Sequence, residues 1–273
     1  MQVYAVIGYP LDYTLSPNIH NYVFRELGGV DAIYVPLKVS PDRLGSFVDF
    51  ARDSLSGFNV TIPHKVAIVR LIDGVVGGPA KELGSVNTVV NRGGELLGGY
   101  NTDYIAIKQA LSDRGYSGGD ALIIGAGGVA RAVALALRDL GCSRVYVMNR
   151  TVERGRELCS LINSWGVDCM VLDFQRNTGI KVQLLVNATP LGVDGDFPID
   201  PGIIGAGGLV LDLAYKPSGV TGLIRLASER SIPYIDGLEI LVRQAIEADR
   251  IWLGPFKEPT WYDVLEKLRD GLI

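Results

Sequence analysis

The segment from Ala121 to Leu140 places the tightest limit on how this chain can fold. An apolar run leads into a glycine-rich turn, which opens an alanine-rich run, so strand, turn and helix follow directly on one another. The turn consists of Gly125, Ala126, Gly127, Gly128, Val129 and Ala130. It fits G-x-G-x-x-(G/A), in which Gly125 allows the tight turn, Gly127 admits a pyrophosphate to the backbone and Ala130 permits close helix packing. A glycine pattern alone is weak in a chain with 34 glycines, but the strand and helix around it predict dinucleotide binding over a structural turn.

The end of the next predicted strand indicates whether the dinucleotide is NAD or NADP. It ends at Met148 and runs into Asn149, Arg150 and Thr151, with Arg154 one helical turn further on. Proteins that prefer NAD usually place Asp or Glu at this strand end, whereas arginine accommodates the extra phosphate of NADP. No acid stands here and two guanidinium groups do, so NADP is the predicted cofactor. The alternative is an ordinary solvated helix start.

Short β-branched runs alternate with amphipathic segments along the whole chain, which predicts an α/β fold. Strands are predicted near Val3–Ile7, Ile33–Leu37, Phe58–Thr61, Val86–Val90, Leu96–Gly98, Ala121–Ile124, Arg144–Met148, Cys169–Leu172, Leu184–Asn187, Leu209–Leu213 and Tyr234–Ile235. Helices are predicted from Ser16 and from Ser40, and at Val129–Leu140, Val152–Leu161, Leu238–Ala248 and Thr260–Leu268. A serine N-cap followed by proline marks the first two starts. The segment 91–94, Asn-Arg-Gly-Gly, predicts one antiparallel hairpin in the first third.

Composition and charge exclude several classes of protein. With 48% apolar and 21% charged residues, the chain has the composition of a folded protein. The net charge of −4 gives no support for a nucleic-acid partner. No stretch without a charge exceeds 12 residues, the length of Val182–Val193, which is too few to span a membrane, and the N-terminus has no cationic signal-peptide region. We therefore expect a cytoplasmic protein with a small-molecule substrate and neither a nucleic-acid nor a membrane partner.

The cysteine and histidine residues predict neither a disulfide framework nor a metal site. Cys142, Cys159 and Cys169 form no CxxC pair, and three is the wrong number for complete pairing. The expectation is that all three are buried or inert thiols in a reducing compartment. His20 and His64 lie far apart in the sequence, so no metal is predicted.

Three polar segments stand at predicted strand ends, where ligand crevices form in α/β sheets. They are Gly8–Pro17, Asn59–Lys65, and Asn87 together with Asn101–Asp103. Each alone can be helix-capping chemistry, but together they supply the hydroxyl, amide and charged groups that hold a small polyhydroxylated acid. The lysine and the aspartate among them suit proton delivery to a developing alkoxide, with the carboxylate orienting the ammonium. His64 is the alternative acid or base, but strand alternation is expected to turn it away from its neighbour.

At this point a family resemblance emerges over essentially the whole chain. It rests on nine segments in order: Gly8–Asn21, Asn59–Lys65, Gly84–Thr88, Asn101–Asp103, Gly125–Arg131, Asn149–Thr151, Asn187–Gly192, Asp212–Pro217, and Asp236–Gly237 followed by Leu241–Ala245. In these segments the sequence resembles the shikimate dehydrogenase family. The resemblance implies an open α/β substrate-binding domain, residues 1–104 completed by 238–273, and a Rossmann-type doubly wound NADP-binding domain, residues 105–237, with the active-site cleft between them.

The same resemblance implies NADPH-dependent reduction of 3-dehydroshikimate to shikimate, a step of aromatic amino-acid biosynthesis through chorismate. It implies Lys65 and Asp103 as the catalytic pair. It also implies that the substrate is held by Thr14, Ser16, Asn59, Thr61, Asn87, Tyr215 and Gln244. It also implies the cofactor contacts Thr189, Leu213 and Gly237, in addition to the glycine turn and to the segment Asn149–Thr151 with Arg154.

The sequence departs from the family pattern at three positions and leaves alternatives open. Thr14 stands where the family has serine, Tyr13 where it commonly has histidine, and Ile240 where a methionine is expected near the nicotinamide. These changes leave activity on quinate open. A catalytically silent dinucleotide sensor need not keep Lys65 and Asp103, and an NADP dehydrogenase acting on a folate would lack the hydroxyl pair and Gln244. The oligomeric state is also open, with a homodimer as one alternative.

Overall fold

The computed structural model describes residues 1–26, 30–75, 78–173, 179–199, 201–216, 220–254 and 260–273. These form two compact units. The first unit comprises Met1–Ala106 and Leu241–Ile273, and the second comprises Ile107–Ile240. Pro217, the last residue of one family segment, lies outside the described residues. Within the described part of the chain, no helix is both long and apolar enough to cross a membrane.

The first unit is built on a six-stranded mixed sheet. Its strands are β1 (Gln2–Gly8), β2 (Ala32–Lys38), β3 (Gly57–Val60), β4 (Gly74–Val75), β5 (Thr88–Arg92) and β6 (Glu95–Tyr100). They lie in the order β2-β1-β3-β5-β6-β4. The sequence predicts one antiparallel pair, but β3–β5 and β5–β6 are both antiparallel. The prediction fell short because it rested on the hairpin turn alone, and the β3–β5 pairing joins strands that are distant in sequence.

The helices that begin at Ser16, Leu44, Gly237 and Trp261 start close to predicted positions, whereas the helix that begins at Pro79 was not predicted. The helices of the first unit are α1 (Ser16–Glu26), α2 (Leu44–Ser54), α3 (Pro79–Leu83), α4 (Thr102–Asp113), α8 (Gly237–Leu253) and α9 (Trp261–Arg269), of which α4 and α8 contain the unit boundaries. Ser40 is the N-cap of a short 3-10 helix, Pro41–Arg43, with proline following it as predicted, but its side chain makes no cap hydrogen bond and α2 begins only at Leu44. Asn101 caps α4 by accepting from the Tyr104 N–H at 3.1 Å.

The C-terminal segment packs into the core of the first unit. Trp252 on α8 stacks on Tyr4 of β1, with ring centroids 4.7 Å apart, and its Nε1 donates to the Val89 carbonyl at 3.0 Å. A Cβ at Gly57 would lie 2.5 Å from that nitrogen, so glycine is required where the indole meets the sheet. Burial of aromatic surface of this size is a major source of stability.

The second unit contains a six-stranded, fully parallel sheet. Its strands are β7 (Gly119–Ile124), β8 (Cys142–Met148), β9 (Asp168–Leu172), β10 (Val182–Asn187), β11 (Ile204–Asp212) and β12 (Tyr234–Ile235). Their order is β12-β11-β10-β7-β8-β9. This is the doubly wound order, in which strands are added on one side of β7 and then on its other side. The intervening helices are α5 (Gly128–Asp139), α6 (Val152–Ser164) and α7 (Gly222–Glu229). The predicted α/β fold, with a Rossmann-type unit, is therefore confirmed.

The predicted absence of disulfides is wrong. Cys159 on α6 and Cys169 on β9 form a disulfide, with their Cα atoms 5.1 Å apart. An odd count excludes only complete pairing, and the short connection from α6 to β9 folds the two cysteines against each other. Cys142 stays a buried free thiol, and burial raises its pKa above the ordinary value.

Removal of this disulfide is expected to destabilise the second unit. For the double variant Cys159→Ala/Cys169→Ala we expect the free energy of unfolding to fall by about 2–3 kcal/mol, because the cross-link restricts a short loop in the unfolded chain. The measurement is chemical denaturation with and without reductant. The double variant serves as its own control, since reductant should not change its midpoint. An unchanged wild-type midpoint in reductant contradicts the prediction.

Candidate active site

Lys65 and Asp103 form an ion pair in the first unit. Lys65 lies in the turn after β3, and its carbonyl accepts from the Val86 N–H at 2.9 Å. Asp103 lies in the first turn of α4, where the helix dipole favours a carboxylate. Nζ donates to Oδ2 at 2.5 Å, and the two side chains are only 15% and 13% exposed. An ammonium held in this way is poised to exchange a proton with a bound oxygen.

Three predicted substrate residues are joined by Thr88 and Thr102, which lie in the predicted family segments but for which no substrate role was predicted. Asn59 Nδ2 donates to Thr88 Oγ1 at 3.0 Å, and Thr88 Oγ1 donates to Asn87 Oδ1 at 3.1 Å. Asn87 Nδ2 donates to Thr102 Oγ1 at 2.9 Å, which in turn donates to Gln244 Oε1 at 3.3 Å. Asn59, Asn87 and Gln244 are therefore parts of one buried hydrogen-bond network.

The other predicted substrate residues of the first unit lie at a strand end and a helix start. Ser16 is the first residue of α1, not its N-cap as predicted, and its N–H donates to Thr14 Oγ1 at 3.2 Å. This bond leaves the Thr14 hydroxyl hydrogen available to a ligand. Thr61 follows β3 and lies close to Gly8. A Cβ atom at Gly8 would lie 2.5 Å from Thr61 Cγ2.

His64 contacts the Val39 carbonyl, and strand alternation does not set its orientation. Residues 62–66 form turns, and the buried His64 places Nε2 2.7 Å from the Val39 carbonyl. Tyr215 belongs to the second unit, where it lines a cavity of about 30 Å³ together with Gly237. Ile240, the departure expected near the nicotinamide, is buried in the same unit.

The glycine turn has the geometry that a dinucleotide requires. Gly125 has φ +107°, and a Cβ there would lie 2.7 Å from Thr189 Cγ2, so only glycine fits. Gly127 is the N-cap of α5, yet a Cβ there would meet no protein atom within 4 Å. The missing side chain at Gly127 therefore opens space beside a helix N-terminus, which suits a phosphate. Ala130 is fully buried.

A cavity of about 1110 Å³ adjoins this turn in the second unit. Four predicted cofactor residues line it: Gly125, Asn149, Arg150 and Thr189. Arg156 also lines it and was missed, whereas Arg154 is not among the described lining residues. The helical spacing of Arg156 from Val152, which lines the cavity too, is a signal that could have identified it. The guanidinium groups make this end of the cavity suitable for an additional phosphate.

A buried carboxylate organises the loops after β10 and β11. Asp212 Oδ1 accepts from Asn187 Nδ2 at 2.8 Å and from the Ala214 N–H at 3.1 Å, and Oδ2 accepts from Thr221 Oγ1 at 2.5 Å. Asn187 Oδ1 in turn accepts from the Thr189 hydroxyl at 2.7 Å. Burial raises the pKa of Asp212 to about 6, against these hydrogen bonds, which lower it. The predicted cofactor residues Thr189 and Leu213 thus flank one fixed polar network, since the Leu213 N–H donates to the Asn187 carbonyl.

Comparison with known proteins places this geometry in a family. A family model described as the shikimate dehydrogenase substrate binding domain matches residues 6–89, and one described as shikimate / quinate 5-dehydrogenase matches residues 107–181. The chain is 53% identical over 269 residues to a shikimate dehydrogenase (NADP(+)) of Caldivirga maquilingensis, covering 98% of each chain. The chain belongs to the shikimate dehydrogenase family.

Other members of the shikimate dehydrogenase family support the same assignment. The enzyme named shikimate dehydrogenase (NADP(+)) from Archaeoglobus fulgidus is 39% identical, with 92% of each chain covered. The crystal structure of shikimate 5-dehydrogenase from Thermus thermophilus, in complex with NADP(H) and shikimate, aligns with a TM-score of 0.85 at 32% identity and 99% coverage of both chains. Fold and family are therefore established for this chain. Within its described residues, no group of three or more His, Cys, Asp or Glu side chains could hold a metal ion.

Proposed function

We propose that this protein catalyses the reversible NADPH-dependent reduction of 3-dehydroshikimate to shikimate, in the biosynthesis of chorismate and aromatic amino acids. The observation that carries the proposal is the Lys65–Asp103 ion pair. Asp103 directly follows Thr102, which belongs to the network of amides and hydroxyl groups. A catalytically silent dinucleotide sensor has no need of a largely buried ammonium held by a carboxylate.

The reaction requires a hydride at the carbonyl carbon and a proton at its oxygen. NADPH supplies the hydride when it is bound. Lys65 donates a proton from Nζ to the carbonyl oxygen as negative charge develops there, and Asp103 holds the ammonium in position and stabilises its charge. In the reverse direction Lys65 Nζ takes the hydroxyl proton back. The pair therefore serves both directions of the reaction.

We further propose that Thr14 and Ser16 donate to the substrate carboxylate. The Thr14 hydroxyl is suited to this, because its oxygen already accepts from the Ser16 N–H. Thr61, Asn59, Asn87 and Gln244 would hold the ring hydroxyls, and Tyr215 is a further proposed substrate residue. In this proposal, residues 1–104 with 238–273 bind the substrate.

Residues 105–237 bind NADP in the same proposal. The space left by Gly127 at the start of α5 suits the pyrophosphate, and the cavity lined by Asn149 and Arg150 suits the adenosine end with its 2′-phosphate. Arg154, Thr151, Leu213 and Gly237 complete the proposed cofactor contacts. A cytoplasmic location and a homodimeric assembly are also part of the proposal.

A nicotinamide absorbance assay with purified protein tests the proposed function. We expect turnover of shikimate with NADP, and slower turnover with NAD or with quinate. Quinate carries an extra hydroxyl on the carbon that bears the carboxylate, and the Thr14 methyl crowds that region. The control omits the acid substrate. Absence of shikimate turnover, or a preference for quinate, contradicts the proposal.

A further inference from the structure

Tyr34 on β2 is buried in an aromatic cluster of the first unit, and its hydroxyl is directed at a proposed substrate residue. Tyr34 Oη donates to Asn59 Oδ1 at 2.7 Å. The ring is only 1% exposed and packs near Tyr4 and Trp252. The phenol is thus too deep to contact a ligand itself, but it touches a group that can.

This hydroxyl is the first donor of the network that ends at Gln244. Asn59 Oδ1 accepts from Tyr34, so its amide nitrogen faces the other way and donates to the Asn87 carbonyl at 3.1 Å and to Thr88. From Thr88 the donors continue in the same direction through Asn87 and Thr102 to Gln244 Oε1. Each group in the chain therefore orients the next one.

The direction of the chain decides what each amide can offer to a ligand. Asn59 uses both N–H bonds internally and retains one acceptor position on Oδ1. Asn87 Oδ1 accepts from the Thr102 N–H and from Thr88, so Asn87 offers its second N–H. Gln244 donates one N–H to the Leu241 carbonyl at 2.9 Å and offers the other, while its Oε1 accepts from Thr102 and retains one acceptor position.

Tyr34 is held by residues from two helices. The imidazole of His20 on α1 stacks on its ring at 4.0 Å between centroids, and His20 Nδ1 lies 2.7 Å from Asp249 Oδ1 on α8. Asn21 fixes the backbone of Tyr34, accepting from its N–H and donating to its carbonyl, both at 2.9 Å. These contacts explain why a His-Asn pair stands four residues after Ser16.

We propose that Tyr34 is a positioning residue that fixes the polarity of the substrate site, with Asn59 as a hydrogen-bond acceptor and Asn87 and Gln244 as donors. The inference rests on the proposed function and specifies which residues recognise the hydroxyl groups of the substrate. A ligand that fits presents a hydroxyl hydrogen to Asn59 and oxygen lone pairs to Asn87 and Gln244. Burial and the nearby Asp249 raise the pKa of Tyr34 well above its usual value, which keeps the phenol protonated and therefore a donor.

Tyr34→Phe tests the first donor of the chain. We expect KM for shikimate to rise about three- to tenfold, as for loss of one hydrogen bond, with little change in kcat or in NADP affinity. Tyr4→Phe is the matched control, because Tyr4 lies in the same buried cluster but its hydroxyl donates to Gln2. Equal KM values for the two variants overturn the proposal.

Thr88 tests the middle of the chain. Thr88→Val keeps the shape but removes the hydroxyl, whereas Thr88→Ser keeps the hydroxyl. We expect KM to rise in the valine variant and to return to near the wild-type value in the serine variant, which a purely structural role would not produce. In an Asn59→Ala background, Tyr34→Phe should have no further effect on KM, because Tyr34 acts through Asn59. An effect of full size in that background overturns the proposal.

A readout independent of turnover separates this inference from the proposed function. Side-chain amide hydrogen exchange of Asn59, followed by NMR, is expected to be slow in the wild type and in Tyr4→Phe and faster in Tyr34→Phe. If wild-type protein does not turn over shikimate, the proposed function fails and the exchange data alone decide on the role of Tyr34. Equal exchange in all three proteins overturns it.

Discussion

The Lys65→Ala variant is expected to lose about 10²- to 10⁴-fold in kcat, the usual contribution of a general acid or base. Lys65 provides the ammonium of the largely buried ion pair with Asp103, so its removal takes away the proposed proton donor. The proposed NADP cavity is lined by residues of the second unit, so NADP affinity should not change. The measurement is steady-state kinetics with shikimate, together with a direct NADP binding isotherm.

Lys38→Ala is the matched control for this variant. Lys38 and Asp12 form an ion pair of 2.6 Å in the same unit, but their side chains are 51% and 74% exposed. We expect that substitution to leave kcat near the wild-type value, as is usual for surface ion pairs. Asp103→Asn should be about as damaging as Lys65→Ala, and the double variant should be less than additive because the two side chains act as one unit. A Lys65→Ala enzyme with near-wild-type kcat would exclude the catalytic role.

The Arg150→Ala variant is expected to bind NADP about ten- to a hundredfold more weakly while NAD binding changes little. Arg150 lines the cavity beside the glycine turn, where its guanidinium can make charge-assisted bonds to a 2′-phosphate that NAD lacks. Such a bond contributes about 1.5–3 kcal/mol. The measurement is the ratio of the two dissociation constants, obtained by titration of each cofactor.

Three further arginines serve as comparisons for Arg150. Arg144 lies near the start of β8, away from the strand end that leads to Arg150, and pairs with Asp168 at 2.6 Å, so Arg144→Ala should leave the ratio unchanged. Arg156 lines the cavity and Arg154 is not among its described lining residues. Arg156→Ala should therefore weaken NADP binding relative to NAD binding more than Arg154→Ala does. Equal weakening of NADP and NAD in Arg150→Ala would make Arg150 a structural residue.

Local features of the fold were predictable because their cause lies within a few residues. The hairpin at 91–94 forms as predicted, since Gly93 and Gly94 both have positive φ in the two-residue loop between β5 and β6. The turn at Gly125 follows its motif for the same reason. Elements without such a signal were missed, among them the two-residue β4, the single-turn α3 and the helix α7.

Contacts between distant segments could not be read in the same way. The Cys159–Cys169 disulfide depends on the angle at which α6 returns along β9, which residue counts do not reveal. Thr88 and Thr102 lie in segments that the sequence predicts to be functional, but nothing in those segments shows that the two hydroxyl groups connect the amides. Tyr34 is 25 residues from Asn59 in sequence and resembles any other buried aromatic residue of a strand.

The sequence by itself determined the α/β class, the glycine turn with its arginine, and the identity of the charged pair, because local geometry and chemical type specify these. Only the tertiary structure decided that Lys65 and Asp103 meet at 2.5 Å, and that Tyr34, Thr88 and Thr102 form hydrogen bonds to the side-chain amides. Hydrogen-bond direction depends on which donors and acceptors are brought together out of water. The chain brings them together across as many as 142 positions, so packing, and not sequence proximity, set the polarity of the site.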